Sequence, residues 1–204
     1  MAKIDVPPTK SSLLTLQRGL EFAQEGYDLL EQKRQILVFE LMGRVEAAKR
    51  AQADVDEAMA AAFAAFRQAA LRSGTEALSR EALGIVRRHK LDYRGRPVMG
   101  IDLPTVTAEH EAVTPEFSTA SGSALSDEVM VRFTKALDTI ARLAEIENAV
   151  LRLAAEVRRT QRRVNALDKI FIPDYKETVA YIEDVLEERE REQFVIMKMA
   201  KGSV

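Results

Sequence analysis

Seventeen positions near the start of the chain repeat at alternating spacings of three and four. They are Leu13, Leu16, Leu20, Ala23, Tyr27, Leu30, Arg34, Leu37, Leu41, Arg44, Ala48, Ala51, Val55, Ala58, Ala62, Ala65 and Ala69. Only Arg34 and Arg44 in this series are charged. A period of 3.5 held for so long describes the seam of a coiled coil, where one stripe of a helix packs into a partner. A second run follows later: Phe133, Ala136, Ile140, Leu143, Glu147, Val150, Ala154, Val157, Gln161 and Val164. Leu137, Ala144 and Leu151 widen its face.

Local signals predict where these helices begin and end. Pro7 and Pro8 keep residues 1–9 out of helix as an extended arm. Thr9 or Ser11 can accept the free N–H groups of a helix over 10–72. Gly74 suits a left-handed stop after Ser73. At 1.5 Å per residue such a helix would be roughly 90 Å long. Residues 73–126 read as a small head. Glu76 to Lys90 fits a short helix. Apolar residues punctuated by Gly95, Pro97, Gly100 and Pro104 fit a β-hairpin, and 112–126 read as a loop. Ser126, followed by Asp127 and Glu128, reads as the cap of a second long helix. That helix is predicted over 127–199 and kinked near Pro173, with 200–204 as a tail. The expected fold class is therefore all-α dominated: a long antiparallel two-helix coiled coil carrying a small head of short helix and hairpin.

Composition narrows the function. Charged residues make up 30 %, hydrophobic ones 47 % and aromatics 6 %, a mixture that suits long helices with narrow apolar stripes. A net charge of −2 with both signs interspersed argues against a general binder of nucleic acid or anionic membrane. The absence of cysteine excludes disulfides, thiol catalysis and cysteine metal sites. No N-terminal secretory pattern and no window of about 18 apolar residues is present, so any link to a membrane is expected to run through partners and not through direct insertion.

The chain carries no phosphate loop of the GxxxxGK[ST] kind and no GxGxxG after a strand. His89 and His110 stand apart from each other, and the carboxylates spread over helix surfaces. We therefore assign no catalytic, cofactor-binding or metal-binding residue and expect a non-enzyme that needs no cofactor. Arg158, Arg159, Arg162 and Arg163 form the most unusual polar cluster, two adjacent i, i+4 rows on a helix. Three readings compete for it: a solvated face paired with acidic residues of the first helix, a contact track for an acidic partner, and a nucleic-acid surface. The last is disfavoured by the lack of interleaved aromatics and of net positive charge. Arg34 is either a seam arginine whose stem packs while its head reaches water or a place where the pair meets another chain. These five arginines are the candidate partner contacts.

Three segments add a resemblance. PPTKSSLLTLQRGLEFAQEGYDLLEQKRQIL resembles the N-terminal signature of the D subunits of V-type and archaeal-type rotary ATPases, and RRTQRRVNALDKIFIPDYKETVAYIEDVLEEREREQF resembles their C-terminal block. PVMGIDLP is similar to a shorter motif in the head of that family. The resemblance runs from Pro8 to about Lys198, with 108–126 outside it. It implies a non-catalytic central rotor stalk of an ATP synthase or ATPase. The implied partners are the hexamer of catalytic A and B subunits, the F subunit on the side, and the funnel-shaped adaptor (the C or d subunit) on the membrane ring. The resemblance also implies a peripheral place on the cytoplasmic side and coupling of ATP chemistry to proton or sodium transport. From the residues alone, the competing reading is a free-standing coiled-coil scaffold or adaptor.

Overall fold

The computed structural model describes residues 4–83, 90–98, 100–109 and 124–202. Helix α1 spans Lys10–Ser73 and α2 spans Thr75–Ala82. Strands β1, Lys90–Val98, and β2, Ile101–Glu109, form an antiparallel hairpin. Helix α3 runs over Ala124–Ala166, a π-helical turn over Leu167–Phe171, and α4 over Ile172–Gly202. The chain is thus helical apart from one two-stranded sheet among the described residues, the fold class expected from the seam.

All seventeen positions of the first 3-4 series are buried or half-buried. Tertiary packing of this stripe, more than intrinsic propensity, is what stabilises helices of such length. Thr9 makes the N-cap: its hydroxyl accepts the Ser12 N–H at 3.2 Å, and its carbonyl accepts the Leu13 N–H at 2.9 Å. At the other end Gly74 takes φ +81° and ψ 150°. Only glycine adopts this conformation freely, but the ψ is extended. The chain therefore leaves α1 without the left-handed helical turn expected there.

Two compact units divide the chain, Met1–Val38 with Val157–Val204, and Phe39–Glu156. In the first, the start of α1 packs against α4 around Leu16, Val179 and Ile182, with Ile4, Leu13, Tyr175 and Leu186 at the edge. Lys10 Nζ lies 2.7 Å from Glu190, and Gln17 Nε2 donates to Glu183 at 3.0 Å. Numbers rise along one helix as they fall along the other, so the pair is antiparallel. The arm is tied down as well: the Ile4 N–H donates to the buried Thr178 hydroxyl at 3.1 Å, and Arg189 donates to the Pro8 carbonyl at 2.9 Å. Each large aliphatic side chain buried here contributes about 1.5–3 kcal/mol.

In the second unit the buried residues of α1 are Ala51, Val55, Ala62, Ala65 and Ala69. On α3 the buried apolar residues are Ala136, Ala149 and Leu153. Phe63 and Phe133 meet edge to face, with ring centroids 5.6 Å apart, beside this alanine-rich seam. The hairpin sits on α3: Leu103 is buried, the Val106 N–H donates to the Glu145 carboxylate at 3.0 Å, and Arg152 donates to the Asp102 carbonyl.

Several boundary expectations need correction. Ser126 does not cap a helix; α3 begins two residues earlier, and the buried Ser126 hydroxyl donates to Glu81 at 2.6 Å. Ser126 thereby ties α2 to α3. Eight of the ten positions of the second run are buried or half-buried; Ile140 and Glu147 are exposed, and Ala149, Leu153 and Thr160, which lie outside the run, are buried. Short α2 ends at Ala82 and does not reach Lys90, which instead opens β1. The disturbance expected at Pro173 is the π-helical turn before it, where the Ile172 N–H reaches back to the Leu167 carbonyl. A widened turn removes the clash that a proline ring would otherwise make with the carbonyl four residues earlier, so the helix passes the proline without breaking. His89, His110 and most of the 112–126 segment lie outside the described residues.

Candidate functional site

The arginine cluster belongs to the first unit, in the last turns of α3. Thr160 and Val164 are buried, and the helical period places Arg158, Arg159, Arg162 and Arg163 around the opposite side, where all four are exposed. Four guanidinium groups thus cover the outward surface of one stretch of helix. Arg158 and Arg159 also interact within the chain. Guanidinium groups present donors in a fixed fork matched to carboxylates, and exposed ones are available to a partner at little desolvation cost.

Arg34 sits differently. It occupies a seam position of α1, is only partly exposed, and donates from Nε to Glu31 Oε2 at 2.8 Å. Glu31 also accepts from Gln35 at 3.3 Å. The hydrogen bond from Arg34 is the main reason the Glu31 carboxyl lies below its ordinary range, and the same bond raises the Arg34 guanidinium. Arg34 is therefore committed to its own helix, as Arg44 is to Glu40 at 3.0 Å. Of the five candidate contacts, the four of the cluster are exposed and Arg34 is half-buried.

The structure adds three sets of exposed apolar residues that sequence reasoning missed. Phe22, Leu29 and Ile36 recur at seven-residue intervals along α1, off the seam, and Phe22 is 78 % exposed. In the second unit Phe39 is 81 % exposed and Met42 is also open. The end of α4 exposes Phe194, Val195, Ile196, Met197 and Met199. The signals were present: an i+7 repeat of large apolar residues displaced from the main stripe, and an apolar cluster directly after the charged EERERE segment. Where such residues cluster, as at the end of α4, exposed apolar surface marks a place where another molecule packs.

Among the described residues no group of histidine, cysteine or carboxylates is arranged to hold a metal, and no helix is long and apolar enough to cross a membrane. The grooves are lined by mixed charge, as where Asp54 and Glu57 face Arg132 and Lys135. Paired helices with charged and apolar residues on their outward surfaces define the class: a coiled-coil chain.

Comparison with known proteins specifies that class. The family model that describes the D subunit of ATP synthase matches residues 12–202. The chain is 38 % identical to the V-type ATP synthase D subunit of Thermotoga neapolitana, over 98 % of this chain and 99 % of the relative. It is 34 % identical to the A-type ATP synthase D subunit of Thermococcus gammatolerans, over 98 % and 95 %. The corresponding Methanopyrus kandleri protein is 36 % identical, over 98 % and 87 %. The chain belongs to the ATP synthase D-subunit family. That membership supports a central-stalk component of a V/A-type rotary ATPase and does not favour a free-standing scaffold.

Proposed function

We propose that this chain is the non-catalytic shaft that carries torque between the ATP-handling hexamer of A and B subunits and the ion-translocating ring of a rotary ATPase. The F subunit would bind its side, and the funnel-shaped adaptor, the C or d subunit, would receive its base. The chain would lie on the cytoplasmic side of the membrane, held there through the complex and not by insertion. The observation that carries this reading is the match over nearly the whole chain to D-subunit relatives.

The physics of the seam supports it. A shaft transmits torque only if its helices do not slip or melt, and a long seam spreads that load over many small packing contributions. Coupling also requires contacts whose energy differs between states of the surrounding proteins. A surface with arginines on one face and apolar rows on others provides such an asymmetry. The arginine cluster is proposed to face acidic groups of the hexamer. Where the terms are electrostatic and exposed, they act mainly on recognition and association rate.

The test replaces Arg158, Arg159, Arg162 and Arg163 together with Gln in a complex reconstituted from purified components. The expected result is weaker association with the hexamer or less ion transport per ATP hydrolysed. Unchanged affinity together with unchanged coupling would remove the arginine cluster from the mechanism. Failure of the unmodified chain to join the complex at all would remove the shaft reading.

A further inference from the structure

The two edges of the hairpin are treated differently. Val98 pairs with Ile101 across two intervening residues, and the register runs in step to Lys90 opposite Glu109. In a two-residue hairpin the closing pair exchanges backbone hydrogen bonds, and bonded and non-bonded pairs then alternate. Asp92, Arg94, Arg96 and Val98 therefore point their N–H and carbonyl groups into the ladder. Leu91, Tyr93, Gly95 and Pro97 point theirs outward, as do Asp102, Pro104 and Val106 on β2. Two independent facts fix this assignment. The outward Val106 N–H and Asp102 carbonyl are the groups that Glu145 and Arg152 engage. Both prolines, which cannot donate, fall at outward positions.

The β2 edge is thus closed, by two α3 side chains and by Pro104. Among the described residues, nothing engages the outward groups of Leu91, Tyr93 and Gly95 on β1. Tyr93 is 64 % exposed and Leu91 is also open. An open strand edge is a template for another strand, and proteins normally blunt or cover it. Here, among the described residues, only Pro97 blunts one end. β1 carries Lys90, Arg94 and Arg96 against the single carboxylate of Asp92, which Arg94 engages at 3.0 Å; across from them the register places Glu109 opposite Lys90, and Arg96 lines a groove shared with Glu145.

We propose that the β1 edge, over Leu91–Gly95, is a docking site for an extended acidic segment of another protein of the assembly, which adds a third strand to the hairpin. Backbone hydrogen bonds to Leu91, Tyr93 and Gly95 give the affinity, and Lys90, Arg94 and Arg96 select carboxylate side chains. The inference rests on the reading of this chain as one component of a larger assembly and locates one contact within it. A third strand also suits the physics of the hairpin, since two strands in water are marginal and a third adds cooperative pairing.

The experiment measures backbone hydrogen exchange, resolved to single residues, in the full chain alone and in the reconstituted rotary complex. In the isolated chain, Leu91, Tyr93 and Gly95 should exchange faster than Asp92 and Arg94. In the complex they should slow by at least about tenfold. Tyr93→Pro removes an outward donor without taking a bond from the ladder, so it should weaken association while the Asp92 and Arg94 amides stay protected. Lys90→Glu with Arg94→Glu should weaken association further as salt is lowered, because repulsion from an acidic strand is then less screened. Three outcomes overturn the proposal: edge amides already as slow as the ladder in the isolated chain, protection that grows with the chain's own concentration and so reports a second copy, and a formed complex whose edge amides still exchange fast. In the last case the shaft reading stands and only this site falls. If no complex forms, both fall.

Discussion

The two units use one 3.5-residue pattern with side chains of different size. In the first unit the buried seam is Leu16, Leu37, Val164, Val179 and Ile182, with Ala23 as its one alanine and Thr160 and Thr178 among them. In the second it is mostly alanine, with Val55 and Leu153 as the bulky members and the Phe63–Phe133 pair alongside. Large aliphatic residues stabilise by the apolar area they remove from water. Alanines remove little area each, but they let helix axes approach toward the short end of the range of about 8–10 Å and leave backbone and Cβ atoms in contact. The first unit is therefore sensitive to losing volume and the second to gaining it.

Substitutions can break or sharpen this contrast. The largest effect is expected from Ile182→Ala, since Ile182 is 0 % exposed at the centre of the first unit's core. It should cost about 3–4 kcal/mol in unfolding by chemical denaturant. A loss below about 1 kcal/mol would mean that the site collapses freely and that the core is not close-packed. Ala62→Leu, also at a 0 % exposed position, probes the opposite sensitivity in the second unit. It should destabilise by about 2 kcal/mol through overpacking, although leucine favours helix almost as much as alanine does. Stabilisation would show that the alanine seam is loose.

Thr178→Val is a subtler test in the first unit. The Thr178 hydroxyl accepts from the Ile4 N–H at 3.1 Å and donates to the Asp174 carbonyl at 2.7 Å. Valine keeps the volume and removes both bonds, so a loss of about 1–2 kcal/mol is expected, with faster exchange of the Ile4 amide. Gly43→Ala in the second unit and Gly26→Ala in the first should each stabilise by up to about 1 kcal/mol, because both are helical and a methyl group would meet nothing within 4 Å. Gly19→Ala should gain less, since its methyl group would lie 3.1 Å from the Tyr175 ring.

The smallest effect concerns pH. The hydrogen bond between Lys10 and Glu190, followed by their mutual attraction, raises the Lys10 ammonium and lowers the Glu190 carboxyl. The depressed carboxyl contributes stability present above its unfolded-state value and lost as pH falls through its folded value. The raised ammonium contributes stability present below its unfolded-state value and lost as pH rises through its folded value. Both groups are exposed, so Glu190→Gln should flatten the acid side of the stability profile only slightly, and less at high salt. A large change would mean that the start of α1 and α4 are held together mainly by charge.

Legibility in the sequence follows the same contrast. The first helix is readable to within a residue because proline, a capping threonine and a glycine bracket an uninterrupted apolar series. The second seam is read less completely, because counting apolar residues passes over the buried Thr160 and accepts Glu147, which is exposed. Pro173 announces a disturbance, but not that a π-helical turn absorbs it. Ser126 looks like a cap because its neighbours are acidic, and only tertiary packing turns its hydroxyl toward Glu81. For the candidate site, the arginine cluster is visible as composition. The apolar rows at Phe22, Leu29 and Ile36 and along the end of α4 stay hidden because a seam search discards apolar residues that fall outside its stripe.

The central claim is that this chain turns within its complex and carries torque. The chain has no cysteine, so a single introduced cysteine on an exposed surface can carry a bead or a polarised dye without competing labels. With the hexamer immobilised and ATP supplied, the label should rotate in one direction in discrete steps and stop when ATP is exhausted. A label that stays fixed relative to the hexamer while ATP is hydrolysed and ions are moved would contradict the account.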